Sequence, residues 1–398
     1  MSLGTTSGNM LGITNFELVG TPLSWVLAVL GVLLMVLQGR KSWTRKAHYT
    51  PSSPSSSKPA ESQYSEASYY DIEPLPDFDI TKTEPLQLRP YKPKFHMTMA
   101  LESTTLSDLI AMDRTFADRC SIRKSLIATH RHDIIAANPR SHAAVLELYH
   151  WLVNTYLPVR FPSVYTLTGL DLRNNITGSL LPTQLQESSE NVDRALQLLG
   201  ENIDDEFLFL LPSPDPSDEH KYRLEAFVTC FPSGFNTRSK LNLLLSQIHT
   251  PVPGYAAKLE KSMDRFFANL PVGKVVRRAN WSISTNGQLF CLAGNHMSAA
   301  ELAARERKEQ VDEIDLEKTV LRCERQTLHR LPGTRALVFA FKTYTYPIQE
   351  LRDEGSGEIL AEAIEGLGTG SVPDITIYKR QVVWGDKVKA FLRGEIEA

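Results

Sequence analysis

Between Leu18 and Leu37 nearly every position is apolar, and beyond that run the pattern changes character twice. As a helix rising about 1.5 Å per residue the run covers about 30 Å, the thickness of a hydrocarbon core, so residues 18–38 are predicted to cross a membrane once. The short segment 1–17 carries a single charge, Glu17, whereas Arg40, Lys41, Arg45 and Lys46 follow the run. That asymmetry puts everything downstream in the cytosol, and it is the reverse of a cleaved signal peptide, whose basic residues come first. Residues 39–90 begin basic, turn rich in Ser and Pro, and are predicted to form a disordered tether.

From residue 91 the periodicity becomes that of a folded body. Asn138 and Pro139 have the cap-then-proline signature of a helix start, and Val145, Tyr149, Leu152 and Tyr156 recur at helical spacing until Pro158. A second helix is predicted through Leu259, Met263, Phe266, Phe267 and Leu270, with Lys261, Asp264 and Arg265 on its polar side. Strand-like runs are Leu224–Phe231, Lys274–Val276, Ser282–Ser284, Gln288–Leu292, Ala336–Tyr344 and Ile375–Tyr378. The charged, alanine-rich stretch Ala299–Glu317 reads as a surface helix, and another helix is expected near Leu351–Leu367. The pattern predicts an α+β body over 91–398, an antiparallel sheet with flanking helices, preceded by one N-terminal transmembrane helix.

Composition narrows the function classes. The chain has 398 residues, 42% of them hydrophobic, enough for a sizeable core, and a formal charge of −3, which disfavours nucleic acid as a partner. The four cysteines, Cys120, Cys230, Cys291 and Cys323, have no CxxC spacing, so they suit reduced thiols packed as small hydrophobes. Membrane, tether and body also describe a Golgi glycosyltransferase, and Asp77-Phe78-Asp79 spells its acidic tripeptide. The tripeptide follows no strand, and the charge asymmetry gives the opposite orientation.

There is no GxSxG elbow, no HExxH, no GxxxxGK[ST] loop and no kinase set. Gly366-Leu367-Gly368-Thr369-Gly370 follows a helical pattern and reads as a loop. His130 and His132 lack a third ligand nearby and read as a polar surface turn; His142, His150 and His329 read as solvated or hydrogen-bonded. His249 differs. The apolar run Leu241–Ile248 delivers it into Thr250-Pro251-Val252-Pro253, where proline fixes the backbone, so it is either a metal ligand or a structural histidine.

Four separated motifs occur in order: Phe231-Pro232-Ser233-Gly234; Ile248-His249 with Pro251-Val252-Pro253; Asn280-Trp281; and Glu324-Arg325-Gln326-Thr327-Leu328 before Arg330-Leu331-Pro332. Together they resemble the haem-dependent oxidative N-demethylase family, over roughly Tyr91 to the C-terminus. The resemblance implies a PAS-like sheet with helices around a haem b, His249 as proximal ligand to the iron, and electrons delivered by a separate reductase. It further implies oxygen activation and hydroxylation of a carbon beside nitrogen, so a haem-dependent monooxygenase acting on an amine or other small metabolite. Arg325, Arg277, Arg278, Arg238 and Lys240 are the candidates for the haem propionates, and Trp281 and Tyr255 for the pocket wall.

The chain departs from the family pattern where Phe235 follows Pro-Ser-Gly in place of tryptophan and where His329 stands in place of arginine, which leaves the substrate open. The anchor and tether look like those of fungal relatives held at the endoplasmic reticulum with the body in the cytosol. Two other readings are a haem-binding sensor or carrier without catalysis, since fold does not dictate function, and a haem-free adaptor. A thiolate-ligated cytochrome through Cys230 lacks its FxxGxRxC loop, and Cys230 suits a strand's core face.

Overall fold

The computed structural model describes residues 64–308 and 313–398, and in it the chain builds a seven-stranded antiparallel sheet. Its strands are β1 (Glu102–Thr104), β2 (Ile135–Ala137), β6 (Glu206–Pro212), β7 (Tyr222–Val228), β8 (Val275–Ser284), β9 (Val320–Arg330) and β10 (Leu337–Pro347), in the order β1-β8-β9-β10-β6-β7-β2. A separate three-stranded sheet comprises β3 (Tyr165–Thr168), β4 (Asp171–Asn174) and β5 (Leu180–Pro182). The backbone of the large sheet is the β9–β10 hairpin, paired continuously from Leu337↔Arg330 to Pro347↔Val320.

Alternation along β8, β9 and β10 gives the sheet two unlike faces. The back face carries Val275, Trp281, Ile283, Leu321, Cys323, Val338, Ala340, Tyr344 and Tyr346, all buried. One end of it packs against the helices Phe116–Ile134, His142–Trp151 and Ser189–Asn202, the other against Gly357–Gly368 and Gln381–Leu392. Fully burying each such aliphatic or aromatic side chain contributes about 1.5–3 kcal/mol, so these helices hold the sheet by one side. The opposite face is covered by the short helix Leu245–Ile248 and by Glu260–Asn269, and several apolar residues there, among them Ile248, Met263, Phe266 and Phe339, are only partly buried.

Several predicted elements take another form. The helix opened by Pro139 is not stopped by Pro158; it widens into a π turn over Leu152–Tyr156, and Pro158 then sits in the first turn of Leu157–Arg160, where its missing N–H costs nothing. Ile375–Tyr378 is a helical turn, because Val372-Pro373-Asp374 starts a reversal and Ile377 N–H donates to the Asp374 carbonyl. Gln288–Leu292 forms no strand; Cys291 alone bridges to Ser233. The expected helix near Leu351–Leu367 is two, Ile348–Asp353 and Gly357–Gly368, split at Gly355 with φ +85.

His130 and His132 lie in the last turns of Phe116–Ile134, where the backbone leaves helical geometry at His130. His329, expected to be solvated or hydrogen-bonded, is buried and bonded through neither ring nitrogen. Residues 64–90, read above as tether, pack on the body: Tyr69 is fully buried, Ile72 and Ile80 enter the core, and Leu88 N–H donates to the Tyr346 hydroxyl at 3.0 Å. A few apolar residues of that stretch are enough to hold it to the body, which an average over its composition conceals. Among the described residues no helix is long and apolar enough to cross a membrane; the anchor predicted over 18–38 lies outside them.

Candidate functional site

His249 is fixed by three local contacts. The one-turn helix Leu245–Ile248 is closed at its start by the Gln247 carboxamide, which accepts from Leu244 N–H at 2.8 Å. At its end the Leu245 carbonyl accepts twice from the same residue, from His249 N–H at 3.0 Å and from His249 Nδ1 at 2.7 Å. A carbonyl has no proton to give, so Nδ1 carries the hydrogen and Nε2 keeps the lone pair. The ring also stacks on Tyr255, centroids 4.6 Å apart and planes 12° from parallel. Tyr255 is held in turn by its hydroxyl against Met263 Sδ at 3.5 Å. Burial lowers the His249 pKa, the Leu245 carbonyl opposes that, and the charges of Lys240 and Arg278 lower it further, so the imidazole is neutral at pH 7. A neutral imidazole with Nδ1 committed to a carbonyl is the form that ligates a metal through Nε2.

The floor beneath it is the open face of the sheet. Cross-strand pairing places Arg278 opposite Gln326 and Asn280 opposite Glu324, and on the next strand Phe341 and Thr343 stand beside Gln326 and Glu324. The Gln326 amide donates to the Glu324 carboxylate at 2.8 Å. Arg278 is less well provided for. Its Nε is buried with no hydrogen-bond partner, and burial lowers its pKa with Glu324 as the opposing charge. Burial likewise lowers the pKa of Lys240, whose ammonium lies 4.9 Å from the centre of the Phe235 ring.

The same charges reach a second imidazole. His296 is pushed down to about 4 by burial, then by Lys379, against a hydrogen bond with the Gly234 backbone, and further by Lys240 and Arg322. Its ring lies 4.5 Å from that of Tyr378. Lys379 is itself pushed down to about 8 by burial, with Glu324 countering and Arg278 adding to the shift, and its ammonium donates to the Trp281 carbonyl at 2.5 Å. Arg322 spends its guanidinium on the carbonyls of Gln288, Leu289 and Phe231. One carboxylate, Glu324, thus offsets three cations, Arg278, Lys379 and Arg322, and the surplus positive charge in a partly dry site favours an anionic ligand.

The Pro232-Ser233-Gly234 motif builds this corner. Gly234 has φ +79, and a Cβ there would stand 2.6 Å from Asn295 Cβ and 2.9 Å from Asn295 N, so only glycine admits the Cys291–Met297 loop. Gly234 N–H donates to the Cys291 carbonyl at 2.7 Å and Cys291 N–H returns to the Pro232 carbonyl at 3.2 Å, which brings His296 to the site.

Of the residues singled out in the sequence, the structure brings together His249, Tyr255, Lys240 and Arg278. Arg325 and Arg277 point to the back face, where Arg325 bonds the carbonyls of Leu109 and Asp108 and Arg277 bonds the Asp108 carboxylate. Arg238 donates to the carbonyls of His132 and Ile135. Trp281 lies on the back face against Tyr91. Sequence reasoning missed His296, Tyr378, Lys379, Glu324 and Gln326. For the last two the signal was present: in a strand, Glu324-Arg325-Gln326 sends its outer residues to one face and its middle residue to the other.

Among the described residues no group of three or more His, Cys, Asp or Glu is placed to hold a bare metal ion. A metal at His249 Nε2 therefore needs ligands from elsewhere, and the four nitrogens of a porphyrin supply them. The apolar side chains Ile248, Met263, Phe266 and Phe339 suit such a ring, and Lys240 and the orphaned Arg278 suit its carboxylates. The residues present fit a haem. A family model described as haem-dependent oxidative N-demethylase, alpha subunit-like, matches residues 100–389, which includes every residue of this site. The chain belongs to the haem-dependent oxidative N-demethylase, alpha subunit-like family.

Proposed function

We propose that the chain is a membrane-anchored haem-dependent monooxygenase acting on an amine or another small metabolite with an oxidisable carbon, by oxidative N-dealkylation or hydroxylation. The observation that carries this reading is His249, with Nδ1 tied to the Leu245 carbonyl and Nε2 left with its lone pair beside two partly buried cations. A haem b held there supplies the oxygen and electron chemistry, as cofactors of its class do. The chain's own residues do the rest. His249 Nε2 would hold the iron, and Tyr255 stacks on its ring and keeps it from turning. Lys240 and Arg278 would pair with the propionates, which would give the unpartnered Arg278 Nε a counter-charge. The partly buried apolar side chains exclude water from the ring, and Glu324, held by Gln326, counters the remaining positive charge.

In this reading the seven-stranded sheet is a PAS-like core, the helix over 18–38 anchors the protein in the endoplasmic reticulum with the body in the cytosol, and a separate reductase delivers electrons. The test uses the purified full chain with a chemical reductant, oxygen and methylated amines, and measures formaldehyde. Formaldehyde formed in step with oxygen consumption, and absent in His249→Ala, supports the proposal. A lasting oxygen complex with no aldehyde from any amine or product from other small metabolites makes the protein a sensor or carrier instead. For the anchor, protease added to intact microsomes should digest the body; full protection would place it in the lumen.

A further inference from the structure

Arg330, the last residue of β9, is a buried cation whose partners are all neutral. It is 7% exposed, and its guanidinium donates to the carbonyls of Leu270 at 2.7 Å, Arg335 at 2.7 Å, Phe267 at 2.5 Å and Ala268 at 3.4 Å, and to the Tyr222 hydroxyl at 3.1 Å. Among the described residues no carboxylate pairs with it, and its Nη1 has a second proton to give beyond the one on the Arg335 carbonyl. Buried cations are normally paired. The end of the helix Glu260–Asn269, which supplies the Phe267 and Ala268 carbonyls, offsets about half a charge and leaves the rest.

Arg330 lines a partly open cavity of about 440 Å³, set between the segment Tyr64–Glu66 and the turn Leu270-Pro271-Val272 at the end of that helix. One water occupies about 30 Å³, so the space admits a small organic molecule. A second guanidinium, that of Arg335, stands in the same wall. Its backbone, at φ +61, is pinned by the bond from Arg330 to its carbonyl, so the two cations are placed as a unit. Glu66 reaches Arg335 at 3.4 Å, but both side chains are more than half exposed, and such a pair contributes little in water. The lining thus holds two guanidiniums against one loosely held carboxylate, beside an apolar turn. Guanidinium forks match the planar geometry of a carboxylate, and Leu270, Pro271 and Val272 suit a short hydrocarbon body.

We propose that this cavity is a binding site for a small organic carboxylate, which pairs with Arg330 and Arg335 in place of Glu66 and rests its apolar body on Leu270, Pro271 and Val272. Glu66 is then an internal competitor, a carboxylate of the chain holding the place of the ligand's. It belongs to the segment that precedes the matched family region, so an occupied site exchanges that segment's ion pair for one to the ligand. The proposal does not depend on haem.

The test is isothermal titration calorimetry of the full chain with butyrate, at constant ionic strength so that screening does not vary. The expected result is a saturable heat whose affinity falls about ten-fold or more in Arg335→Asn and rises about two- to five-fold in Glu66→Gln, the worth of an exposed ion pair. Asparagine tolerates the left-handed backbone at this position, so the turn is kept while the cation is lost. Butyramide, of the same shape but uncharged, should give no saturable heat. No saturation by butyrate, equal binding of butyramide, or saturation by inorganic phosphate alone would overturn the proposal. An affinity kept in Arg335→Asn and lost in Arg278→Met would place the anion beside His249 and overturn it as well. The wild-type titration with butyrate, butyramide and phosphate stands even where a variant fails to fold.

Discussion

A single carbonyl, that of Leu245, fixes both the backbone and the ring of His249, so the tautomer is set by the helix end and not by solvent. In the proposed function the two cations beside it are the counterpart for anionic groups on a ligand. Arg278→Met and Lys240→Met are each expected to weaken haem retention by about ten- to a hundred-fold, the worth of a hydrogen bond to a charged group, while His249→Ala abolishes axial ligation. Competition for bound haem by apomyoglobin, followed in the visible spectrum, measures this. His329 offers a pH signature on the other face. Burial alone pushes its pKa down to about 3. Its folded value lies below the unfolded one, near 6.5, so the unfolded chain binds its proton first as pH falls and stability drops between about pH 6.5 and pH 3, by up to about 1.4 kcal/mol per pH unit. In His329→Leu that share of the slope should vanish from urea unfolding midpoints measured across the same window.

At the scale of elements, the site rests on one turn and one strand. Gly234→Ala meets the Asn295 backbone and an unfavourable φ together, so we expect a loss of at least about 1–2 kcal/mol by denaturant unfolding and displacement of the loop that carries His296. The strand explains what the sequence disclosed. β10 is legible as an apolar run and β8 only at its two ends, Lys274–Val276 and Ser282–Ser284, while the prolines single out His249 without deciding its role. β9 was not recognised, because Arg322, Glu324, Arg325, Gln326 and Arg330 break the apolar signal, though all are at least partly buried. Without β9 the alternation at 324–326 has no direction, so the sequence does not separate Arg325, which faces the back of the sheet, from Glu324 and Gln326 on the other side. Ile375–Tyr378 shows the converse: four β-prone residues with no strand to pair with close a helical turn instead. His296 and Lys379 carry no local signal, since they reach the site only through the Gly234 turn and the C-terminal helices.

At the scale of the molecule, the sheet's ends are locked by charge buried in the core. Arg123 is fully buried and donates to Glu206 at 2.6 Å and to the Gly200 carbonyl at 2.6 Å; Lys342 pairs with Asp113 at 2.7 Å and Asp204 at 3.4 Å. Removing one partner strands the others in low dielectric, so Lys342→Met should lower stability by about 3–5 kcal/mol in urea unfolding and leave the site's chemistry untouched. With the back face packed by helices at both ends, the face under His249 is where a flat, amphipathic ligand finds apolar walls and cations at once. The most direct measurement is therefore the absorption spectrum of the full chain after reconstitution with haemin. The account predicts a Soret band in the wild type and in His329→Leu, lost or shifted to that of unligated haem in His249→Ala; no Soret band in the wild type, or one unchanged in His249→Ala, would contradict it.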